Sequence, residues 1–333
     1  MSITGFERQR LELFAVNGFE GRGRRIVDQE GRMTYAITRG AGEIPTVLVH
    51  GGLSNAGEWA MCAGGLEGWV IVADRPGCGL SDPIDYFGTD YRAEAVDWLQ
   101  SLVDALGVDQ VDLVANSMGG YFSIVFALAH PERVRRMVLV GAPAGLHRHV
   151  PGFLRLWGMP GIGRLISANP PQDPEFIRRQ IFGKLLVARS DALTSGFLEM
   201  MANSLTLPGA GRASHSMLRA VLNAGGWRPW LRLDGDVLAL APPVLFLWGD
   251  SDGFAPPSVG EALTTRIPDA RLEIIERAGH LPHVDAPTEV AQRSTHFLSA
   301  DRDHEGQVVE GLGAESAGAV RPRRTLWRSW AAR

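Results

Sequence analysis

The chain predicts an α/β fold, a doubly wound and mostly parallel sheet with an inserted helical lobe, on three observations. Short apolar and β-branched runs recur along it, of the kind that suits strands covered on both faces, as in Pro45–His50, Trp69–Ala73 and Pro243–Trp248. Helical periodicity separates several of these runs, which implies right-handed crossovers and loops gathered at the carboxyl ends of the strands. Between residues 145 and 240 the alternation stops, and amphipathic pieces punctuated by Gly158-Met159-Pro160-Gly161, Asn169-Pro170-Pro171 and Pro208-Gly209-Ala210-Gly211 take its place. The expected organisation is a core formed by residues 1–144 and 241–299, a helical lobe over 145–240, and a flexible tail over 300–333.

The elements follow in order. Arg25-Ile26-Val27 and Met33-Thr34-Tyr35-Ala36-Ile37, joined by a turn at Glu30-Gly31, read as an antiparallel hairpin. The run Pro45–His50 ends in His50-Gly51-Gly52, and Trp69–Ala73 leads into the turn-rich loop Asp74–Asp82. A helix starts at Tyr91, with Val96, Leu99, Val103 and Leu106 on one face and Gly107 as its stop. Val111–Gly120 then reads as strand, tight turn and helix, with Ser117 at the corner, and the helix is closed by Pro131. Met137–Val140 is the next buried strand. In the lobe, Phe153, Leu156, Trp157, Phe197, Met200, Met201, Leu205, Trp227 and Trp230 are expected chiefly as the lobe's own core, with several lining an apolar substrate pocket. The sheet resumes at Pro243–Trp248, a helix follows near residues 257–267, Arg271–Ile275 forms the last strand, and a helix over about 287–298 closes the core.

Composition narrows the functional classes. Of 333 residues, 45% are hydrophobic and 21% charged, and the net charge of −4 gives no field for nucleic acid. Cys62 and Cys78 lie apart without metal-ligand spacing, so neither a disulfide framework, a metal site nor a cofactor is expected, and a reducing cytoplasm is the expected compartment. The first residues lack an apolar signal core, and no run approaches the length of a membrane span. At the other end, Arg321–Arg333 holds five arginines, two tryptophans and no acid. It reads as a mobile tail or, alternatively, as a basic, aromatic docking peptide for a partner or an anionic surface.

Chemistry concentrates at the strand ends. A serine in a strand-to-helix corner needs small residues two before it and two or three after, because the two backbones pass close together; Ala115, Gly119 and Gly120 meet that demand. This is the nucleophile-elbow pattern with Ala115 at the first glycine position. Two later strand ends carry Asp252 and His280, giving the order Ser, Asp, His. Through His50-Gly51-Gly52, Asp74–Ser81, Asn116–Gly120, Trp248-Gly249-Asp250-Ser251-Asp252 and Gly279-His280, residues 25–299 resemble the serine-nucleophile branch of the α/β-hydrolase family with a helical cap.

The resemblance implies roles. Ser117 is the expected nucleophile, His280 its general base and then acid, and Asp252 the carboxylate that orients His280. The N–H groups of Met118 and Gly52 are the implied oxyanion donors. Family spacing favours Asp252 over Asp250, which reads as a loop carboxylate, and favours His280 over His283. Gly51, Asn116, Trp157, Met201, Trp227 and Leu281 are the expected substrate-binding residues. His50 is expected to order its loop, Asp74 and Ser81 to hold the Gly-rich loop, Cys78 to lack a base, and His147, His149 and His215 to be solvated. The first expectation for the reaction is hydrolysis of a carboxylic ester or lactone bearing apolar groups, through an acyl-enzyme. One alternative is C–C bond hydrolysis of ring-fission diketone products, whose enzymes have a motif similar to Asn116–Gly120, although Leu281 follows His280 where those enzymes usually have tryptophan and Leu53-Ser54-Asn55 replaces a more Gly-rich loop. The other is a non-catalytic ligand-binding homologue.

Overall fold

The computed structural model describes residues 2–300 except Ala224. The expectation of a flexible or docking tail falls mainly on residues 301–333, outside the described residues. Helix α1 (Ile3–Val16) precedes the antiparallel pair β1 (Arg22–Val27) and β2 (Met33–Arg39). The chain continues through β3 (Thr46–Val49), β4 (Val70–Ala73), α2 (Tyr91–Leu106), β5 (Val111–Asn116), α3 (Ser117–Ala129) and β6 (Val134–Val140). Residues 145–240 supply α4 (Gly152–Trp157), α5 (Ile162–Ala168), α6 (Pro174–Phe176) continued by a π-helical segment Ile177–Leu186, α7 (Ser195–Ser204), α8 (Ala210–Val221) and a short hairpin of β7 (Leu222–Asn223) and β8 (Gly226–Trp227). The core closes with β9 (Val244–Gly249), α9 (Pro257–Thr264), β10 (Ala270–Ile275), α10 (Pro282–Asp285) and α11 (Pro287–Ser299).

Eight strands form one sheet in the order β1-β2-β4-β3-β5-β6-β9-β10. β2 runs antiparallel to both neighbours, and every pair from β4 to β10 is parallel. The doubly wound α/β class read from the sequence is thus the observed one. β3, β4, β5 and β9 are buried along their whole length, which is why their sequences show apolar runs rather than alternation. In β5 the one charged residue, Asp112, is fully buried and paired with Arg135. The register sets Val49 beside Ala115, Asn116 beside Val140, and Val140 beside Leu247, so three neighbouring strands end at one level. Helix α2 starts on Asp90, whose carboxylate accepts the N–H groups of Arg92 and Ala93, and stops at the left-handed Gly107.

Two expectations about packing are corrected. Phe153, Leu156 and Trp230 are exposed rather than part of a lobe core, while Phe197, Met200 and Met201 are buried. The short helices α4 and α5 pack on each other and on α8, which leaves Phe153 and Leu156 of α4 in the cavity lining. The sequence also gave no sign of α1. Its buried face is Phe6, Arg10, Leu13 and Phe14, a helical spacing hidden by an arginine in a core position.

Arg10 is itself an anchor. Its Nη1 donates to Asp74 Oδ1 at 2.8 Å and Oδ2 at 2.7 Å, both side chains are fully buried, and the guanidinium lies over the rings of Phe6 and Tyr35. Asp74 also accepts the N–H groups of Ala56 and Leu80, so one carboxylate ties α1 to the loops after β3 and β4. Ser81 adds to this loop by donating to the Asp74 carbonyl and accepting the Tyr35 N–H. Removing one partner of a buried pair strands the other charge, at a typical cost of about 3–5 kcal/mol. Arg10→Ala should therefore lower unfolding stability by about that amount, measured by denaturant titration, whereas a loss under about 1 kcal/mol would show that Asp74 is held by its backbone donors alone.

Candidate active site

The site begins where β5 turns into α3. Ser117 adopts φ +49°, a left-handed conformation that a non-glycine residue holds only when its surroundings enforce it. The enforcement is a close crossing: a Cβ on Gly119 would overlap the carbonyl oxygen of Val49, and one on Gly120 would sit 3.2 Å from Pro143. Met118 occupies the first turn of α3, where backbone N–H groups have no partner within the helix.

His280 and Asp252 meet across the ends of β9 and β10. His280 Nδ1 lies 3.1 Å from Asp252 Oδ1 and 3.0 Å from Oδ2, and both residues are buried. Asp252 Oδ2 accepts the Ala142 N–H at 2.9 Å, and Oδ1 accepts the Phe254 N–H at 2.8 Å. Burial alone would raise the Asp252 carboxyl, but the neighbouring imidazole and these donors outweigh it and hold the carboxyl below its ordinary value. An ionised Asp252 fixes the proton of His280 on Nδ1 and leaves Nε2 as the acceptor. Nε2 is buried, has no hydrogen-bond partner among the described residues, and His280 lines the same cavity as Ser117. This arrangement can take a proton from a hydroxyl at the Ser117 corner and return it to a leaving group.

The rival residues are occupied elsewhere. Asp250 accepts the N–H groups of Arg277 and Ala278, and so caps its own loop. His283 stacks on Trp59 with ring centroids 4.0 Å apart, and its Nε2 lies 3.2 Å from Glu58 Oε1. His50 is fully buried: its Nε2 accepts the Arg75 N–H at 3.0 Å, and burial together with the Arg75 charge lowers its pKa to about 4, keeping it neutral. Burial raises the Cys78 thiol, which removes it further from nucleophilic chemistry.

Around the His50 strand end the donors sort themselves. The Gly51 N–H is spent on Glu58 Oε1 at 3.1 Å, and the Gly51 carbonyl accepts from Arg75 Nη2 at 2.7 Å. Gly51 lines the cavity, as expected of a substrate-binding position, while these two backbone groups are engaged within the loop. Gly52 packs against Met118, where an added Cβ would lie 2.9 Å from Met118 Cγ. The two segments named for oxyanion donors are therefore side by side. Asn116 also lines the cavity, and its Nδ2 donates to the carbonyls of Val140 at 2.7 Å and His280 at 3.0 Å. The amide braces the His280 loop against β6, with its Oδ1 buried and unpartnered.

A cavity of about 910 Å³ opens over Ser117 and His280, lined also by Trp157, Met201, Trp227 and Leu281. Three residues that sequence reasoning missed shape it. Phe254 stacks on His280 with centroids 4.0 Å apart, and His147, expected to be solvated, is buried between the rings of Trp227 and Phe254. Burial and the nearby His280 lower the His147 pKa to about 4, so it enters the wall as a neutral ring. His215 is also buried, its Nδ1 3.0 Å from the Trp157 carbonyl. The third is Glu58, whose only signal in the sequence is an acid a few residues beyond the glycine loop. Among the described residues no group of three or more His, Cys, Asp and Glu could hold a metal ion.

Burial would raise the Glu58 carboxyl, but the adjoining His283 imidazole outweighs it, lowering its pKa from 4.5 to about 2. A depressed carboxyl contributes stability in full above its unfolded value, and loses it as the pH falls through the folded one. Glu58→Gln should therefore flatten the fall in stability between about pH 4.5 and pH 2, read from denaturant midpoints against pH, and an unchanged acid limb would show that Glu58 is not the coupled group.

Residues 45–287 match the family described as the alpha/beta hydrolase fold. A 2-hydroxy-6-oxo-6-phenylhexa-2,4-dienoate hydrolase of Burkholderia cepacia is 30% identical over 78% of this chain and 91% of its own length. A 2-hydroxy-6-oxononadienedioate/2-hydroxy-6-oxononatrienedioate hydrolase of Dechloromonas aromatica (strain RCB) is 29% identical over 72% of this chain and 82% of its own. Among solved structures, a carboxylesterase of Bacillus subtilis superposes with a TM-score of 0.69 at 21% identity, over 90% of this chain and 97% of its own. The crossing at Ser117, the histidine and carboxylate at the adjoining strand ends, and the match over most of the chain place this protein in the α/β-hydrolase family, as an enzyme.

Proposed function

We propose that the protein hydrolyses carboxylic esters or lactones with a large apolar acyl or alcohol group, through an acyl-enzyme on Ser117. The observation that carries this reading is the polarity of the cavity. Its lining holds Ser117, His280, Ser54, Glu58, Asn116, a neutral His147 and the loop of Gly51 and Gly52, while most of the wall, including Trp157, Met201, Trp227 and Leu281, is apolar. The fixed cation in its lining is Lys184, which is exposed, as are the lining residues Asn169 and Gln180. An ester carbonyl asks for no more than a nucleophile and two N–H donors, whereas a carboxylate sunk among these walls would go unpaired at a cost of several kcal/mol.

In this reading His280 Nε2 accepts the Ser117 hydroxyl proton as Oγ bonds to the carbonyl carbon. The carbonyl electron pair moves onto oxygen, which accepts from the N–H groups of Met118 and Gly52. Collapse breaks the C–O bond, and His280 gives its proton to the leaving alkoxide. Water, activated by the same imidazole, then releases the acid. Asp252 stabilises the imidazolium in both steps.

C–C hydrolysis is the second reading, supported by the names of the curated relatives. Two features count against it. The Asn116 amide donors are taken by backbone carbonyls, and among the described residues that line the cavity the exposed Lys184 is the one Lys or Arg to meet the dicarboxylate named for the Dechloromonas relative.

Both readings require Ser117, and the substrate separates them. A fluorophosphonate should label the wild type and spare Ser117→Ala, whose kcat should fall by about 10⁴ or more. Turnover of p-nitrophenyl octanoate should exceed that of 2-hydroxy-6-oxo-6-phenylhexa-2,4-dienoate in kcat/KM; the reverse order would replace ester cleavage by C–C cleavage, and labelling of neither form would end both.

A further inference from the structure

The mouth of the cavity carries a surface that ester hydrolysis does not explain. Phe153, Leu156, Met159, Ile162, Leu165 and Phe176 are all exposed large apolar side chains, and all lie within one stretch of 24 residues around α4 and α5, with Leu165 at 69% and Ile162 at 46% exposure. Phe153, Leu156 and Phe176 line the cavity as well, so the apolar surface and the apolar interior are continuous at its rim. Exposed apolar residues scattered singly need no explanation, but a concentration of this kind marks a docking site.

Charge identifies what docks. Residues 145–189 carry seven Lys and Arg against Asp173 and Glu175, a net charge of +5 in a chain whose net charge is −4. Arg148, Arg155, Arg164 and Lys184 are exposed within that segment. A second copy of the chain fits poorly, because a two-fold contact sets the same patch against itself and would bring its exposed arginines together. Apolar side chains flanked by arginine and lysine are the composition that seats in the headgroup boundary of an anionic bilayer.

We propose that the α4–α5 face docks reversibly on anionic lipid surfaces, and that the cavity draws its apolar substrate from that surface through the rim formed by Phe153, Leu156 and Phe176. No helix among the described residues is long and apolar enough to cross a membrane, so the attachment is peripheral. Docking does not depend on the ester reading, since it involves neither Ser117 nor His280.

The test is co-sedimentation of the full chain with vesicles of phosphatidylcholine alone and of equal parts phosphatidylcholine and phosphatidylglycerol. Wild type and Ser117→Ala should both sediment with the anionic vesicles, more weakly as salt rises. Leu165→Glu and Ile162→Glu, which lie outside the cavity lining, should each lower the partition about tenfold or more while leaving turnover of a soluble short-chain ester unchanged. Arg164→Glu should reduce it without removing an apolar side chain. Equal sedimentation of wild type and Leu165→Glu would overturn the proposal, as would a wild type that ignores both vesicles. A dimer in analytical ultracentrifugation that Leu165→Glu dissolves would assign the face to a second copy, and binding of polyglutamate in place of vesicles would assign it to an acidic protein. If Ser117→Ala docks but the wild type cleaves no ester, docking stands and the ester reading falls.

Discussion

A left-handed serine between a strand buried on both faces and a helix crossing close behind it is the constraint on which the rest of the site depends. The φ of +49° at Ser117 is costly by itself and persists because β5 is clamped by parallel neighbours on either side while α3 passes against the end of β3. Each atom the chemistry uses is referred to that crossing. The loop after β3 lies against Met118, the turn at Gly141 lies against the His280 carbonyl, and Asn116 holds that same carbonyl from the last position of β5. A side-chain amide one residue before the serine therefore positions the backbone of His280.

The site region contains two carboxylate–imidazole pairs. Asp252 and His280 stand at the cavity floor, with the carboxylate saturated by two backbone donors and the outer ring nitrogen unpartnered. Glu58 and His283 stand behind the glycine loop, where the carboxylate spends one oxygen on the Gly51 N–H and the imidazole is pressed against Trp59. Both pairs are buried and both leave the second ring nitrogen without a hydrogen-bond partner among the described residues; what distinguishes them is that His280 lines the cavity and His283 does not. Gly51 is drawn towards Glu58, and this leaves Gly52 as the residue of the loop that packs directly on Met118.

Much of this was legible in the chain because it is written in local pattern. Buried parallel strands show as unbroken apolar runs, and the corner at Ser117 shows as a serine among small residues; both depend on neighbours in sequence. What escaped depends on contacts between distant segments. Helix α1 was hidden because its core stripe includes Arg10, whose charge is answered 64 residues away by Asp74. His147 and His215 looked like solvated lobe histidines, since nothing near them announces that Trp227, Phe254 and the Trp157 carbonyl enclose them. Asn116 was expected to face a ligand from its position beside the serine, but that its amide also donates to carbonyls of β6 and of residue 280 depends on distant segments. The exposure of Phe153, Leu156 and Trp230 is likewise a property of packing, and residue type alone argued the other way.

Asp285 is a small feature with a wide consequence. Its carboxylate, buried beside α10, accepts the N–H of Gly279 at 2.8 Å and those of Ala188 and Arg189 at 2.9 Å, and the Leu281 N–H adds a bond to the Leu186 carbonyl. The joint between the helical insertion and the histidine loop is made largely through peptide groups. Side-chain packing adds to it, since Phe182, Val187 and Phe197 of the insertion are buried in one cluster with Ala278 and Leu281. A single acid thus ties the path of the insertion at residues 188–189 to that of the histidine loop at Gly279, so that neither backbone can shift without drawing on the other.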